Sequence, residues 1–248
     1  MGRPDHVREP PGGAVALGPV LDGWPVSWRV HHVAQTGSTN ADLVHAATAG
    51  SPDRTVLATD HQTAGRGRLD RRWDAPPGDN LLVSILFRRD LPNDPSELTR
   101  RVGLAVVGAA KAVAGVEAGL KWPNDVLVDE RKLAGILAQR GGDGSVVVGL
   151  GLNVRWAPEG AARLGDAIEP LHVLRAVLDA YDALPGAIDQ AYRSALLTLG
   201  RRVRVELIDD EIVGTATDVD ADGRLVVLDE CAITHRVAVG DVVHLRPA

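Results

Sequence analysis

The chain has 248 residues, a length for one or two domains, with 45% hydrophobic and 24% charged residues, the balance of a globular protein. With 27 Gly, 15 Pro and only 3% aromatics, the core has to be built from Val, Leu, Ile and Ala, and disorder, collagen and a disulfide scaffold are excluded. Lys and Arg number 27 against 33 Asp and Glu, a net charge of −6 that argues against a basic face wrapped around duplex nucleic acid.

Residues 1–24 are rich in Pro, Gly and charge and read as a loose lead-in, with no apolar signal core behind Met1. Ser38, Thr39 and Asn40, followed by Leu43, Val44, Ala47 and Gly50, predict a short capped helix. Strands are expected at 55–59 and 80–87. Asp94, Pro95 and Glu97 have the pattern of a helix start, and Leu98, Val102, Ala105, Ala109 and Val113 continue at helical spacing. Lys111 and Glu117 interrupt the apolar stretch 103–120, so no run of the roughly 18 apolar residues needed to cross a membrane is present. Strands at 126–128, 133–139 and 146–154, joined by turns at 129–131 and 141–144, predict an antiparallel meander. Two helices, about 171–184 and 188–199, are split by Pro185 and Gly186. Beyond Arg201 the pattern changes to short strands at 203–207, 213–218, 225–228, 233–237 and 242–245, a small β module. The expected organisation is a lead-in 1–24, a main domain 25–200 and a β module 201–248. The fold class is α+β, with a mixed or antiparallel sheet and packed helices. The single Cys231 can form no internal bridge, which points to a reducing compartment, the cytoplasm.

Three strings could carry chemistry. Gly65-Arg66-Gly67-Arg68, preceded by Gln62 and followed by Trp73, combines backbone that a ligand can approach closely with two guanidinium forks suited to phosphate or carboxylate. It is neither a Walker A loop nor a dinucleotide fingerprint, and a solvated surface turn would use the same residues. Lys121-Trp122-Pro123-Asn124-Asp125 sits on a loop stiffened by Pro123, with Lys132 close behind; Asp125 could hold Mg²⁺ and either Lys could neutralise phosphate oxygens. Gly149-Leu150-Gly151-Leu152-Asn153 closes a strand, where glycines mark either a bulge or the close approach of a ligand or another backbone. Asp218, Asp220, Asp222, Gly223 and Asp229 reproduce most of an EF-hand spacing, but strand formers flank them and the terminal Glu is missing, so a hairpin is expected. Neither a His-Glu-x-x-His pair nor a Gly-x-Ser-x-Gly elbow is present.

Taken in order, Thr36-Gly37-Ser38-Thr39-Asn40, Gln62-Thr63-Ala64-Gly65-Arg66-Gly67-Arg68, Lys121-Trp122-Pro123-Asn124-Asp125, Arg131-Lys132-Leu133-Ala134-Gly135-Ile136-Leu137 and Gly149-Leu150-Gly151-Leu152-Asn153 resemble the motif series of biotin protein ligases. The β module is similar in size and place to that family's C-terminal SH3-like domain. The resemblance implies a class II synthetase-like catalytic domain, with biotin and MgATP as substrates. Biotinyl-5′-adenylate and pyrophosphate form first, and a lysine of a biotin carboxyl carrier domain then attacks, releasing AMP. It places Ser38, Thr39, Asn40, Gln62, Arg66, Gly67, Arg68, Lys132 and Gly135 at the biotin end. Arg66, Trp73, Lys121, Asn124, Asp125, Lys132 and Asn153 would serve ATP, Asp125 the Mg²⁺, and Lys132 and Arg68 catalysis. The charges suit the scheme. A carboxylate brought within about 4 Å of a phosphate charge is repelled by on the order of 4 kcal/mol at an effective dielectric near 20. Two or three charge-assisted hydrogen bonds, roughly 1.5–3 kcal/mol each, offset that.

Leu69 and Asp70 depart from the family pattern, in which Gly often follows the Gly-Arg string. The family's DNA-binding winged helix-turn-helix does not fit in the Pro- and Gly-rich stretch before residue 30, so a ligase without DNA as a partner is expected, with no membrane partner and a weak homodimer as the expected assembly. Two rivals remain: a lipoate-protein ligase on the same fold, and a biotin-sensing regulator that does not turn over ATP.

Overall fold

The computed structural model describes residues 17–207 and 210–245. Its first unit is β1 (Arg29–Thr36), α1 (Thr39–Thr48) and β2 (Thr55–Gln62), with β1 and β2 paired in parallel. Then follow β3 (Leu81–Phe87), α2 (Ser96–Ala114), β4 (Gly119–Lys121), β5 (Asp125–Val128), β6 (Arg131–Arg140) and β7 (Val146–Leu152). The sheet order is β1-β2-β3-β7-β6-β5-β4, antiparallel everywhere except β1 with β2, so the sheet is mixed as expected. Helices α3 (Pro170–Asp182) and α4 (Asp189–Ala195) complete this part. Strands β8 (Arg202–Glu206), β9 (Glu211–Val219), β10 (Leu225–Asp229), β11 (Thr234–Val237) and β12 (Asp241–His244) then form a separate antiparallel sheet in the order β11-β10-β9-β8-β12. That sheet fits the expected SH3-like module.

Because side chains alternate across a strand, the large sheet has two different faces. Leu81, Val83, Ile85 and Phe87 of β3, Ala134 and Ile136 of β6, and Val146, Val148, Leu150 and Leu152 of β7 join one apolar core with α2 and α3. Leu86 of β3 and Val147 of β7 point the other way, into a small cluster with Leu43 and Ala47 of α1 and Leu57. Farther along that second face the same strands carry Ser84, Gly135, Gly149 and Gly151. The sheet is thinned there, beside α1.

Local signals explain most element ends. In α2 the Asp94 carboxylate accepts the Ser96 N–H at 2.9 Å, as a cap should, but Glu97 bonds Arg101 instead of completing a capping box. Gly115 ends the helix in the left-handed region, φ +64°. The helix expected at 188–199 stops at Ala195, because the Leu197 N–H turns to the Leu120 carbonyl at 2.8 Å and Thr198 Oγ1 accepts the Trp122 N–H at 3.1 Å. The acidic string at 218–229 is a hairpin. Asp220 accepts the N–H groups of Asp222 and Arg224, while Asp218 bonds Arg193 and Asp229 bonds His235. Of the lead-in, residues 1–16 lie outside the described residues; Val20 pairs with His31, so ordered chain begins before residue 25. Strand β1 carried no signal of its own. Among the described residues no helix is long and apolar enough to cross a membrane.

Candidate functional site

The thinned face of the sheet is the floor of a cavity of about 880 Å³. Its walls come from the start of α1, the end of β2, the Gly-Arg loop after it, the start of β5, and β6, β7 and β12. The glycines of β7 are explained by what lies over them. Neither strand pairing of β7 shows a register shift, so Gly149 and Gly151 are not a bulge. A Cβ on Gly149 would press against the Asn40 carboxamide, 2.9 Å from its Cγ, and one on Gly151 would lie 2.7 Å from Trp73 Nε1. Gly135 faces the same indole and the Lys132 ammonium. Removing side chains from the floor admits Asn40 at one end and Trp73 at the other.

At the α1 end the lining is mostly hydroxyl and carboxamide groups, tightly hydrogen-bonded, with the Asp42 carboxylate accepting from the Thr36 hydroxyl. The Thr39 N–H donates to Gln62 Oε1 at 2.8 Å. Ser84, fully buried on β3, lies 2.7 Å from Thr39 Oγ1 and 2.6 Å from Asn40 Oδ1. The Asn40 Nδ2 donates to the Leu137 carbonyl at 3.1 Å. Ser38 takes the extended N-cap conformation but makes no side-chain cap bond, which leaves its hydroxyl for the cavity it lines.

At the other end the lining is charged. Lys132 pairs with Asp125 at 2.6 Å, and its ammonium lies 5.7 Å from the Trp73 ring centroid. Arg68 donates to Asn124 Oδ1 at 3.2 Å and to the Gly240 carbonyl at 3.2 Å, and lies 3.6 Å from Asp241. Arg71 pairs with the same Asp241 at 2.5 Å. The β module thus reaches into the cavity and holds the Gly-Arg loop through one carboxylate. Leu69, next to Arg68, sits at φ +54°, the left-handed region in which a Gly would be unstrained. Trp73 Nε1 is buried and has no hydrogen-bond partner among the described residues.

The structure brings Ser38, Thr39, Asn40, Gln62, Arg66, Gly67, Arg68, Trp73, Asn124, Asp125, Lys132, Gly135 and Asn153 to this cavity. Lys121 is not among its lining residues. It borders a crevice between α2 and β4 with Arg100 and Pro123, and its charge acts on His244. Burial pushes the His244 imidazole below its usual range, and Arg201 and Lys121 push the same way. The ring bonds Thr198 at 3.1 Å and Glu130 at 3.3 Å across the junction of the two sheets. Two lining residues are bound up as braces. Asn153 donates to the Ala162 carbonyl at 3.0 Å and accepts from Asn80 at 3.3 Å, and Asn40 spends its carboxamide on Ser84 and Leu137. Each carboxamide oxygen keeps a second lone pair, and Asn40 a second N–H, beyond those bonds. Among the described residues no group of three His, Cys, Asp or Glu converges on a point. A divalent ion would therefore find no ready-made set of such ligands here and would take most of its coordination from phosphate and water.

Sequence reasoning missed Ser84 and Asp241. Ser84 is the lone hydroxyl in an otherwise apolar strand, at an alternate position that puts it on the cavity face. Asp241 carried no signal, since only the docking of the two sheets brings it to Arg68.

Comparison with known proteins gives a consistent result. Residues 33–153 match the Biotin/lipoate A/B protein ligase family, and residues 198–245 match the Biotin protein ligase C terminal domain. The chain is 42% identical to the Biotin--[acetyl-CoA-carboxylase] ligase of Mycobacterium tuberculosis over 98% of each chain. It is 27% identical to the Bifunctional ligase/repressor BirA of Bacillus subtilis, over 77% of this chain and 66% of that one. Among solved structures it is similar to the biotin protein ligase of Aquifex aeolicus in complex with biotin and ATP, with TM-score 0.73 and 26% identity, covering 88% of this chain and 99% of that one.

Proposed function

Since the chain belongs to the biotin protein ligase family, we propose that it activates biotin with MgATP and transfers the biotinyl group to a lysine of a biotin carboxyl carrier domain. The observation that carries this reading is the convergence of five sequence-distant strings on one cavity, rich in hydroxyl and carboxamide groups at the α1 end and in cations at the Lys132 end. A ureido ring offers both N–H and C=O groups, which suits the α1 end. The biotin carboxylate and the α-phosphate meet at the charged end.

There a carboxylate oxygen bonds to the α-phosphorus, and the bond from that phosphorus to the oxygen bridging the β-phosphate breaks, releasing pyrophosphate. The two anions repel until cations are placed between them. Lys132 is the central one, with Arg68 and Arg66 on the loop above, and Asp125 holds the Lys132 ammonium in register at 2.6 Å. Trp73, whose indole packs over Gly151, is assigned to stacking on the base. In the second step a carrier lysine attacks the acyl carbon and AMP leaves. The Gly-Arg loop, tethered to Asp241, covers the anhydride against water. In this account the domain up to about residue 200 holds the substrates, and the β module from 201 steadies the loop that closes on them. A cytoplasmic setting, where the exposed Cys231 stays reduced, suits it.

Supplied with biotin, MgATP and an unmodified carrier domain, the chain should attach biotin to one carrier lysine, read as a mass increase. Lys132→Ala should slow adenylate formation about 10²–10³-fold while biotin binding stays within a few-fold of the parent. A variant that keeps near-parent turnover would remove Lys132 from its role.

A further inference from the structure

We propose that Ser84 is a positioning residue that turns Thr39 into a pure hydrogen-bond acceptor toward the cavity, so that the site selects a ligand presenting an N–H group there. The proposal rests on the reading of biotin as substrate and deepens it, because no motif or match assigns Ser84 a part.

The argument is a count of protons. Three oxygen–oxygen contacts run in a chain: Asn40 Oδ1 to Ser84 Oγ at 2.6 Å, Ser84 Oγ to Thr39 Oγ1 at 2.7 Å, and Thr39 Oγ1 to Gln62 Oε1 at 3.1 Å. The two amide orientations are fixed independently. Asn40 Nδ2 donates to the Leu137 carbonyl, and the Thr39 N–H needs an oxygen on Gln62, so both end atoms of the chain are carbonyl oxygens that can only accept. Three contacts therefore share two hydroxyl protons. At 2.6 Å the Ser84 proton must lie on the Asn40 side, because two bare lone pairs repel at that distance. The 2.7 Å contact then needs the Thr39 proton. The 3.1 Å contact has none.

Two acceptor oxygens, Thr39 Oγ1 and Gln62 Oε1, are thus left side by side and unbridged in residues that line the cavity. An incoming N–H can serve both. Ser84 is fully buried beneath them and outside the cavity wall, so it acts through the two lining residues it bonds; Asn40 stays held by the Leu137 carbonyl, and the change falls on Thr39. Without the Ser84 hydroxyl, Gln62 Oε1 at 3.1 Å is the acceptor left within reach of the Thr39 proton among the described residues. The proton would swing there and occupy the place meant for the ligand's N–H.

The test compares biotin with analogues methylated at each ring nitrogen in turn, by calorimetry, on the parent, Ser84→Ala and Ser84→Thr. In the parent, one of the two methylated analogues should bind at least about tenfold more weakly than biotin. Ser84→Ala should weaken biotin about tenfold and that analogue less than about twofold, so the discrimination collapses, while kcat for adenylate formation at saturating biotin is unchanged. Ser84→Thr, which keeps a hydroxyl, should retain the parent's preference. An equal loss for biotin and analogue would reduce Ser84 to a packing residue and overturn the proposal, as would a parent indifferent to methylation at both nitrogens. A parent that binds no biotin at all removes the functional reading itself, and that outcome is separate from the others.

Discussion

The two faces of the large sheet are built from the same strands and do opposite work. On one, every alternate residue of β3 and β7 is a branched or aromatic side chain buried against α2 and α3. On the other, past Leu86 and Val147, which pack on α1, the strands present Ser84, Gly149 and Gly151, and the space they leave holds Asn40, Trp73 and a ligand cavity. One face gains stability by filling volume, and the other gains a site by leaving it empty.

Adjacent residues of β7 allow that contrast to be broken cleanly. Leu152→Ala, on the filled face, should lower stability by about 2–5 kcal/mol, seen as a lower denaturant midpoint, with turnover per folded molecule within a few-fold of the parent. Gly151→Ala, on the empty face, should do the reverse. Its new methyl needs the place of the Trp73 indole, so adenylate formation should fall about 10–10²-fold with the midpoint nearly unchanged, since a misplaced reacting group costs on that scale. Equal stability losses from both variants would erase the distinction between the faces.

The junction between the two sheets should show a smaller, pH-dependent effect. His244 is held below the usual histidine range, chiefly by burial. The folded chain keeps the ring neutral while the unfolded chain protonates it near pH 6.5. The unfolded state therefore binds the extra proton, and the stability due to this group is present above pH 6.5 and lost as pH falls from there through the depressed folded value. A denaturant midpoint measured from pH 8 to pH 5 should decline, and His244→Asn should flatten the decline. An unchanged slope in the variant would assign it to other groups.

Much of this was legible in the sequence because local signals and tertiary needs coincide. The run at 81–87 is apolar on both parities but for Ser84, and β3 is buried throughout. The Asp220–Gly223 turn outweighed a calcium-like spacing because its flanks are strand formers. The motif residues reached one cavity because most lie at strand ends or in the loops that rim the glycine-rich face. Lys121 did not, since it points to the α2 side of the short β4. Asp241 and the bracing roles of Asn40 and Asn153 depend on partners from 73 to 173 positions away, Asn80 for Asn153, Leu137 for Asn40 and Arg68 for Asp241. Local pattern holds no record of such pairs. The end of α4 was lost for the same reason, because β4 captures Leu197.

The most direct test of the central claim is exchange of labelled pyrophosphate into ATP by the whole chain, run with biotin, with lipoate and with neither acid. The account predicts exchange with biotin alone, because the polar end of the cavity is built for a ring with N–H and C=O groups and offers a dithiolane nothing to bond. Exchange with lipoate at a comparable rate, or none with biotin under conditions where biotin binds, would contradict it.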